Sequence, residues 1–236
     1  MIMKVCIVIP AMLADDKLYN TTLRFLDSID KHTIYPNYEV LIYDNNSDPK
    51  LTERLIQQVN NLKNNTKFRI KILTNYKFNL SQIYNKALKD SNAELFVMAN
   101  NDMEIINAEW LKNIVKWFET TPKLGMCMPY QNILGDPLKF KPVDKLKDHG
   151  DVCWFAIYTI SRKATNAIGG FDEKVPLYFH DFDVYYTVKR KGYKALWAYN
   201  AIVRHYGDRT TINHQKSSKY SYGDAYHYVH KKHPGK

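Results

Sequence analysis

From residue 4 to residue 99 the chain alternates short β-branched runs with segments of helical period, without a break. Lys4-Val5-Cys6-Ile7-Val8-Ile9-Pro10 is continuously apolar and is stopped by proline, the pattern of a parallel strand buried on both faces. A helix follows over 18–32, with Leu23, Leu26 and Ile29 in its apolar stripe. Residues 38–43, 69–73 and 94–99 read as three further strands, separated by helices over 51–63 and 81–90. Such alternation builds a mostly parallel sheet flanked by helices, an α/β class of fold with a Rossmann-like core. Its ligands sit in the crevice beyond the carboxyl ends of the strands.

The fourth strand runs into that crevice as Val97-Met98-Ala99-Asn100-Asn101-Asp102-Met103-Glu104-Ile105. A carboxylate at such a tip, flanked by amides, suits a divalent cation that also holds phosphates. The competing reading is a polar Asn-Asn-Asp turn. Neither G-x-G-x-x-G nor G-x-x-x-x-G-K occurs, so a glycine cradle for phosphate is absent and a dehydrogenase or P-loop enzyme is disfavoured. Phosphates would then depend on a cation or on basic side chains, and this raises the weight of Asp102.

The second half continues with a helix over 110–119 and an irregular stretch over 129–150, rich in Lys, Asp and Pro and expected to be a mobile loop. A strand over 152–161, a short helix over 162–168, a helix over 181–191 and a strand over 195–203 follow, with His205 just beyond the last strand. Asp181 is placed to cap its helix, Lys189 to Lys191 to complement the C-terminal dipole, and Gly192 to end it.

The 236 residues carry a formal charge of +10, which favours anionic ligands: nucleotides, acidic glycans, nucleic acid or an anionic membrane surface. Cys6, Cys127 and Cys153 are widely spaced, which fits reduced thiols better than a disulfide framework or a zinc site. No run of eighteen apolar residues and no signal-peptide pattern is present, so the expectation is a cytoplasmic protein without a transmembrane segment, host-cytoplasmic if phage-encoded.

In this order the segments resemble the family 2 glycosyltransferases of GT-A fold, in particular rhamnosyltransferase-like members, over about 4–207. Val5 to Pro10 is similar to the family's first strand, and Tyr43-Asp44-Asn45-Asn46-Ser47-Asp48 to its second-strand signature. Asn100-Asn101-Asp102 stands in place of the D-x-D motif. Gly169-Gly170-Phe171-Asp172-Glu173, His180-Asp181-Phe182-Asp183 and Lys191-Gly192-Tyr193 match the block that follows. The resemblance implies a single GT-A domain over 1–207, with a donor half to about 105 and an acceptor half from about 106. A basic, Tyr- and His-rich tail over 208–236 would follow.

It further implies a nucleotide-sugar donor, UDP-linked as first expectation, a divalent metal (Mn²⁺ or Mg²⁺) and inverting transfer. Asp181 matches the catalytic base, with helix capping as the alternative role. Asp183 is assigned to the fold or the acceptor. Asp102 and His205 would hold the metal, although a lone histidine is also an ordinary structural residue. Pro10, Asp44, Asn46, Asn75, Asn101 and Asp102 would contact the donor, with Asp44 on the nucleotide base or merely forming its turn. His180 and Trp154 would face the acceptor, Trp154 alternatively being core. The sequence departs from the family in having one acidic residue at the D-x-D position, His180 in place of Glu, and no glycine in Asn75 to Asn79, where Lys77 could approach phosphate.

The default acceptor is a saccharide hydroxyl. Tyr206, Tyr220, Tyr222, Tyr226 and Tyr228 among Lys216, Lys219, Lys231 and Lys232 raise the alternative of a hydroxylated base in DNA, stacked and charge-neutralised, against a solvated amphipathic tail. His227, His230 and His233, three apart, could bind a metal or belong to a basic helix. Two other classes compete: a nucleotidyltransferase, whose Gly/Arg-rich loop Ala11 to Lys17 does not supply, and a non-catalytic nucleic-acid- or glycan-binding protein on a degenerate transferase scaffold.

Overall fold

Side chains of the first strand, β1 (Val5–Ala11), alternate between two cores: Val5, Ile7 and Ile9 join one cluster, Cys6 and Val8 the other. A strand with no polar position can only sit in the middle of a sheet covered on both faces. The computed structural model describes residues 2–74, 78–150, 155–207 and 222–235 and places β1 there. It pairs in parallel with β2 (Tyr38–Asn45) on one side and β4 (Leu95–Ala99) on the other, and β2 pairs in parallel with β3 (Phe68–Leu73).

Helices α1 (Asp16–His32), α2 (Pro49–Asn60) and α3 (Leu80–Asp90) make the crossovers. Asp15 accepts from Leu18 N at 2.8 Å and Asn79 from Gln82 N at 3.1 Å, so each of these two helices starts on a side-chain cap. The α1 boundary thus lies two residues before the expected one, because the cap falls at Asp15. Beyond β4 the sheet turns mixed. Its order is β3-β2-β1-β4, then β8 (Ile157–Ser161), β6 (Leu124–Tyr130), β9 (Lys194–His205) and β5 (Met103–Ile105), with β7 (Leu146–Lys147) against β9.

Three short or irregular strands escaped the pattern of the sequence. β5 (Met103–Ile105) has only three residues, β7 (Leu146–Lys147) two, and β6 (Leu124–Tyr130) contains Gly125 and Pro129, which disguise it as loop. The expected strand over 152–161 is β8 (Ile157–Ser161) among the described residues, antiparallel to β4 and β6. β9 (Lys194–His205) is longer than expected, and His205 is its last residue rather than a neighbour of its end.

The stretch over 129–150 is not a free loop. Tyr130 stacks on Phe140 at 3.8 Å, both meet Tyr199 edge-on, and Val143 N donates to Tyr199 O at 3.0 Å. Tyr185 O–H donates to Gly150 O. These partners lie 35 to 69 residues away, in β9 and in α6 (His180–Arg190), a separation that local sequence reading cannot bridge.

Helix α4 (Trp110–Thr120) buries Trp110, whose indole N–H donates to Thr33 Oγ1 at 3.1 Å. α5 (Arg162–Ile168) ends on Gly169 in the left-handed region, and α6 (His180–Arg190) follows the Gly169-Gly170-Phe171 turn. Asn85 of α3 grips this turn: its Oδ1 accepts from Phe171 N at 2.8 Å and its amide donates to Phe171 O at 2.9 Å.

The last described helix, α7 (Tyr222–Lys232), packs on α6 through Ala225 and Val229. Lys232 Nζ donates to Asp172 at 2.7 Å and Asp183 at 2.9 Å, and the buried His233 Nε2 lies 2.7 Å from Asp183. A solvated tail is therefore overturned for these residues, and so is a metal face on His227, His230 and His233. His233 turns inward to Asp183, His230 packs on Phe182 and Tyr226, and His227 stays exposed. Lys216, Lys219 and Tyr220 lie outside the described residues.

Gly170 and Gly192 test how far the α3 contact matters. Both have positive φ, at 86° and 79°, but a Cβ on Gly170 would meet Asn85 Oδ1 at 2.7 Å while one on Gly192 meets nothing within 4 Å. Alanine at either site carries left-handed strain of about 1–2 kcal/mol. Gly170→Ala must also displace Asn85, so urea unfolding is expected to show it clearly less stable than Gly192→Ala; equal losses would discount the grip on Phe171.

Candidate active site

Strand ends of the two sheet halves meet at one edge and enclose a cavity of about 550 Å³. Pro10 at the end of β1, Asn100 to Asp102 after β4, Gln131 and Asn132 after β6, His205 at the end of β9, and the first turn of α6 all line it. This is the crevice beyond the carboxyl ends of the strands that the α/β pattern calls for.

The Asn-Asn-Asp tip is tied on both sides. Asn100 N donates to Ala156 O at 2.8 Å, Asn101 Nδ2 donates to Thr22 Oγ1 at 2.8 Å, and Tyr206 N donates to Asp102 O at 2.9 Å. β5 then runs antiparallel to β9 with Met103 opposite His205. That register brings His205 Nε2 within 3.2 Å of Asp102 Oδ1, with Asp102 buried and His205 open to the cavity.

The histidine is itself fixed. His205 N donates to Asn132 Oδ1 at 2.9 Å, and the next residue, Tyr206, has the Arg24 guanidinium 3.5 Å and that of Arg204 4.5 Å from its ring centre. The Tyr206 hydroxyl donates to Glu104 at 2.7 Å. One carboxylate oxygen and one imidazole nitrogen converging on the same space form a donor set that suits Mn²⁺ or Mg²⁺. Among the described residues no group of three or more His, Cys, Asp or Glu converges, so an ion here would complete its shell with oxygens from outside the protein.

Asp181 lines the same cavity. It is not the cap of α6, as the sequence led one to expect: that position is Phe179, in left-handed backbone at φ 60° and ψ 11°. Asp181 lies one residue inside the helix, and its carboxylate accepts from Phe155 N at 3.1 Å and Phe182 N at 2.9 Å. Burial raises its pKa, and the neighbouring His180 and the backbone donors offset this only in part. The His180 Nδ1–H donates to Leu177 O at 2.8 Å, which settles its tautomer and turns the ring along the cavity wall.

Pro10, Asn101, Asp102, His180, Asp181 and His205 thus share one cavity. Asp44 and Asn46 do not line it. Asp44 is 1% exposed, with Oδ2 accepting from Thr52 Oγ1 at 2.5 Å and Oδ1 from Ser47 N at 3.3 Å. Its carboxylate closes the β2–α2 turn, the other role that the sequence offered for it. Asn46 is exposed on the same turn with φ 55°. Asn75, Lys77 and Trp154 lie outside the described residues.

Sequence reasoning missed Gln131, Asn132, Tyr178 and Phe179. Gln131 Oε1 accepts from Ala156 N at 3.0 Å and its amide donates to Ile157 O at 3.2 Å, so it holds the segment that binds Asp181. Neutral amides after a disguised strand carry no motif. Tyr178 and Phe179 stand just before His180-Asp181, and that adjacency was the available signal.

With this geometry the comparisons with known proteins can be placed. The family model described as Glycosyl transferase family 2 matches residues 6–175, well over half of the chain. The O-antigen biosynthesis protein RfbC of Myxococcus xanthus is 24% identical over 218 residues, 82% of this chain but only 16% of that protein. The chain thus spans about a sixth of the length of that relative. The mannosyltransferase PcManGT of Pyrobaculum calidifontis, solved with GDP-Man and Mn²⁺, superposes at TM-score 0.67 with 16% identity, covering 98% of this chain and 70% of that one. GalNAc-T7, solved with UDP, GalNAc and Mn²⁺, gives TM-score 0.71 at 13% identity over 86% of this chain and 43% of that one. Among the described residues no helix is long and apolar enough to cross a membrane. The mixed sheet with its cavity at the Asn-Asn-Asp tip is the GT-A fold, and the chain belongs to glycosyl transferase family 2.

Proposed function

We propose that this chain transfers a sugar from a nucleotide-sugar donor to a saccharide hydroxyl with inversion at the anomeric carbon, assisted by a divalent ion. The observation that carries this reading is that the Asp102–His205 pair and the buried Asp181 line one and the same cavity. An in-line displacement needs both kinds of group in one site, a holder for the leaving group and a proton acceptor for the attacking hydroxyl. Complexes of the fold neighbours with GDP-Man, or with UDP and GalNAc, each together with Mn²⁺, support the donor class.

Asp102 and His205 would hold the ion, which when bound supplies positive charge to a departing diphosphate. Asn101 and Pro10 would line the donor's approach. Asp181 takes the proton of the acceptor hydroxyl while that oxygen bonds to the anomeric carbon and the carbon–phosphate oxygen bond breaks. The two backbone N–H donors hold the carboxylate in place, and burial makes it a stronger proton acceptor than an exposed aspartate. His180, fixed through Nδ1, presents its other edge to the same cavity.

Calorimetry with UDP, GDP, dTDP and CDP, with and without Mn²⁺, tests the donor half. One nucleotide is expected to bind in a metal-dependent way, and Asp102→Ala or His205→Ala to weaken it at least about ten-fold. Equal binding without metal and in both variants would remove the ion from this pair.

Asp181→Asn keeps an acceptor oxygen for Phe155 N but cannot take a proton. It is expected to lower kcat about 10²- to 10⁴-fold while the nucleotide Kd stays within a factor of two or so. The base works only when ionised and its pKa is raised, so wild-type kcat/KM should rise with pH through a value above the ordinary aspartate range. An acid limb at or below that range, or an active Asn variant, would assign the proton to another group.

A further inference from the structure

Tyr222 and Tyr226 are the two aromatic side chains among the large exposed hydrophobic residues of the described chain, at 53% and 43% exposure. They sit on successive turns of α7 and lean on the wall of the active-site cavity. The Tyr222 ring lies 5.4 Å from that of Tyr178 and 4.9 Å from that of Phe179, and Tyr226 lies 5.8 Å from Phe179. Tyr178 and Phe179 both line the cavity, and Asp181 follows two residues after Phe179.

The left-handed backbone of Phe179 adds a second observation. A phenylalanine in this region costs about 1–2 kcal/mol and persists only where its surroundings over-determine it. Here it directs a buried ring beneath Tyr222 and Tyr226, so the wall beside Asp181 continues outward as one aromatic ledge. This ledge adjoins the cavity at Tyr178 and Phe179, next to the start of α6.

Resting on the transferase reading above, we infer that Tyr222 and Tyr226 form an acceptor subsite that takes a neutral pyranose ring by stacking. A pyranose offers C–H bonds on its face and hydroxyls around its edge, which match an aromatic face with a phenolic rim. Among the described cations beside the ledge, Lys232 is held by Asp172 and Asp183, whereas Arg190 and Lys231 stay exposed. Cations that pair with phosphate are what nucleic-acid binding draws on, so an oligonucleotide enters the test as the competing ligand.

Saturation-transfer difference NMR tests this on the full chain with Mn²⁺ and the nucleoside diphosphate that calorimetry selects. The probes are the methyl glycosides of glucose, galactose, mannose, N-acetylglucosamine and rhamnose, together with a short oligothymidylate. At least one glycoside is expected to show saturation of its ring C–H protons. Tyr222→Ala and Tyr226→Ala should each weaken that glycoside by roughly five- to ten-fold, whereas Tyr222→Phe, which keeps the ring, retains it. Thermal melts report on folding, and the exposed positions make collapse of the variants a separate, visible event.

Unchanged glycoside signals in both alanine variants, no glycoside signal at all, or variant-sensitive binding of the oligothymidylate instead would each overturn the subsite. If the wild type binds none of the nucleoside diphosphates, the transferase reading fails first. If it binds one and the alanine variants keep the glycoside, only the ledge falls.

Discussion

One strand holds the two halves of this molecule together. The twelve residues of β9 pair in turn with β6, β7 and β5, and a register shift opposite Pro129 and Tyr130 lets one strand serve all three. Because side chains alternate along a strand, a slip of one residue would turn His205 to the other face and away from Asp102. The pair at 3.2 Å is thus a consequence of register. The aromatic and guanidinium contacts of Tyr206 and the bond from His205 N to Asn132 keep that register at its last residue.

Asp181 obeys a different constraint. A buried carboxylate is costly unless hydrogen bonds compensate it. Asp181 meets this with Phe155 N and Phe182 N, and the remaining penalty appears as a raised proton affinity. What disfavours the charge is what makes the group useful as a base. Gln131 supports this indirectly by holding the segment that supplies Phe155 N, and the clasp of Lys232 and His233 on Asp183 holds α6 from behind. Site and scaffold are therefore hard to separate here: Gln131 and Phe155 line the cavity and position Asp181 within it, while Asp183, Lys232 and His233 brace the same helix from outside.

Much of the first half of the chain was legible because its cues are local. The β-branched run of β1, the amphipathic crossover helices and the polar tip at Asn101 and Asp102 each read within a ten-residue window, and strands of both-face burial leave one arrangement open. The second half was less so. β6 carries a glycine and a proline, and the stretch over 129–150 was taken for a mobile loop because Tyr130, Phe140 and Tyr199 come together only in space. For Asp44 the sequence offered a ligand contact or a turn, and in the folded chain its carboxylate accepts from Thr52 and Ser47 within the turn.

By itself the sequence determined the order of the elements as far as β4, the central place of β1 and the chemistry available at the sheet edge, because periodicity and turn residues act over short range. Tertiary structure decided which of those groups meet. The closeness of His205 to Asp102 depends on a pairing across 100 residues, the burial of Asp181 on a segment 26 residues earlier, and the aromatic ledge on α7 folding back onto Phe179. Contacts over such separations follow from packing and register, and no local pattern encodes either.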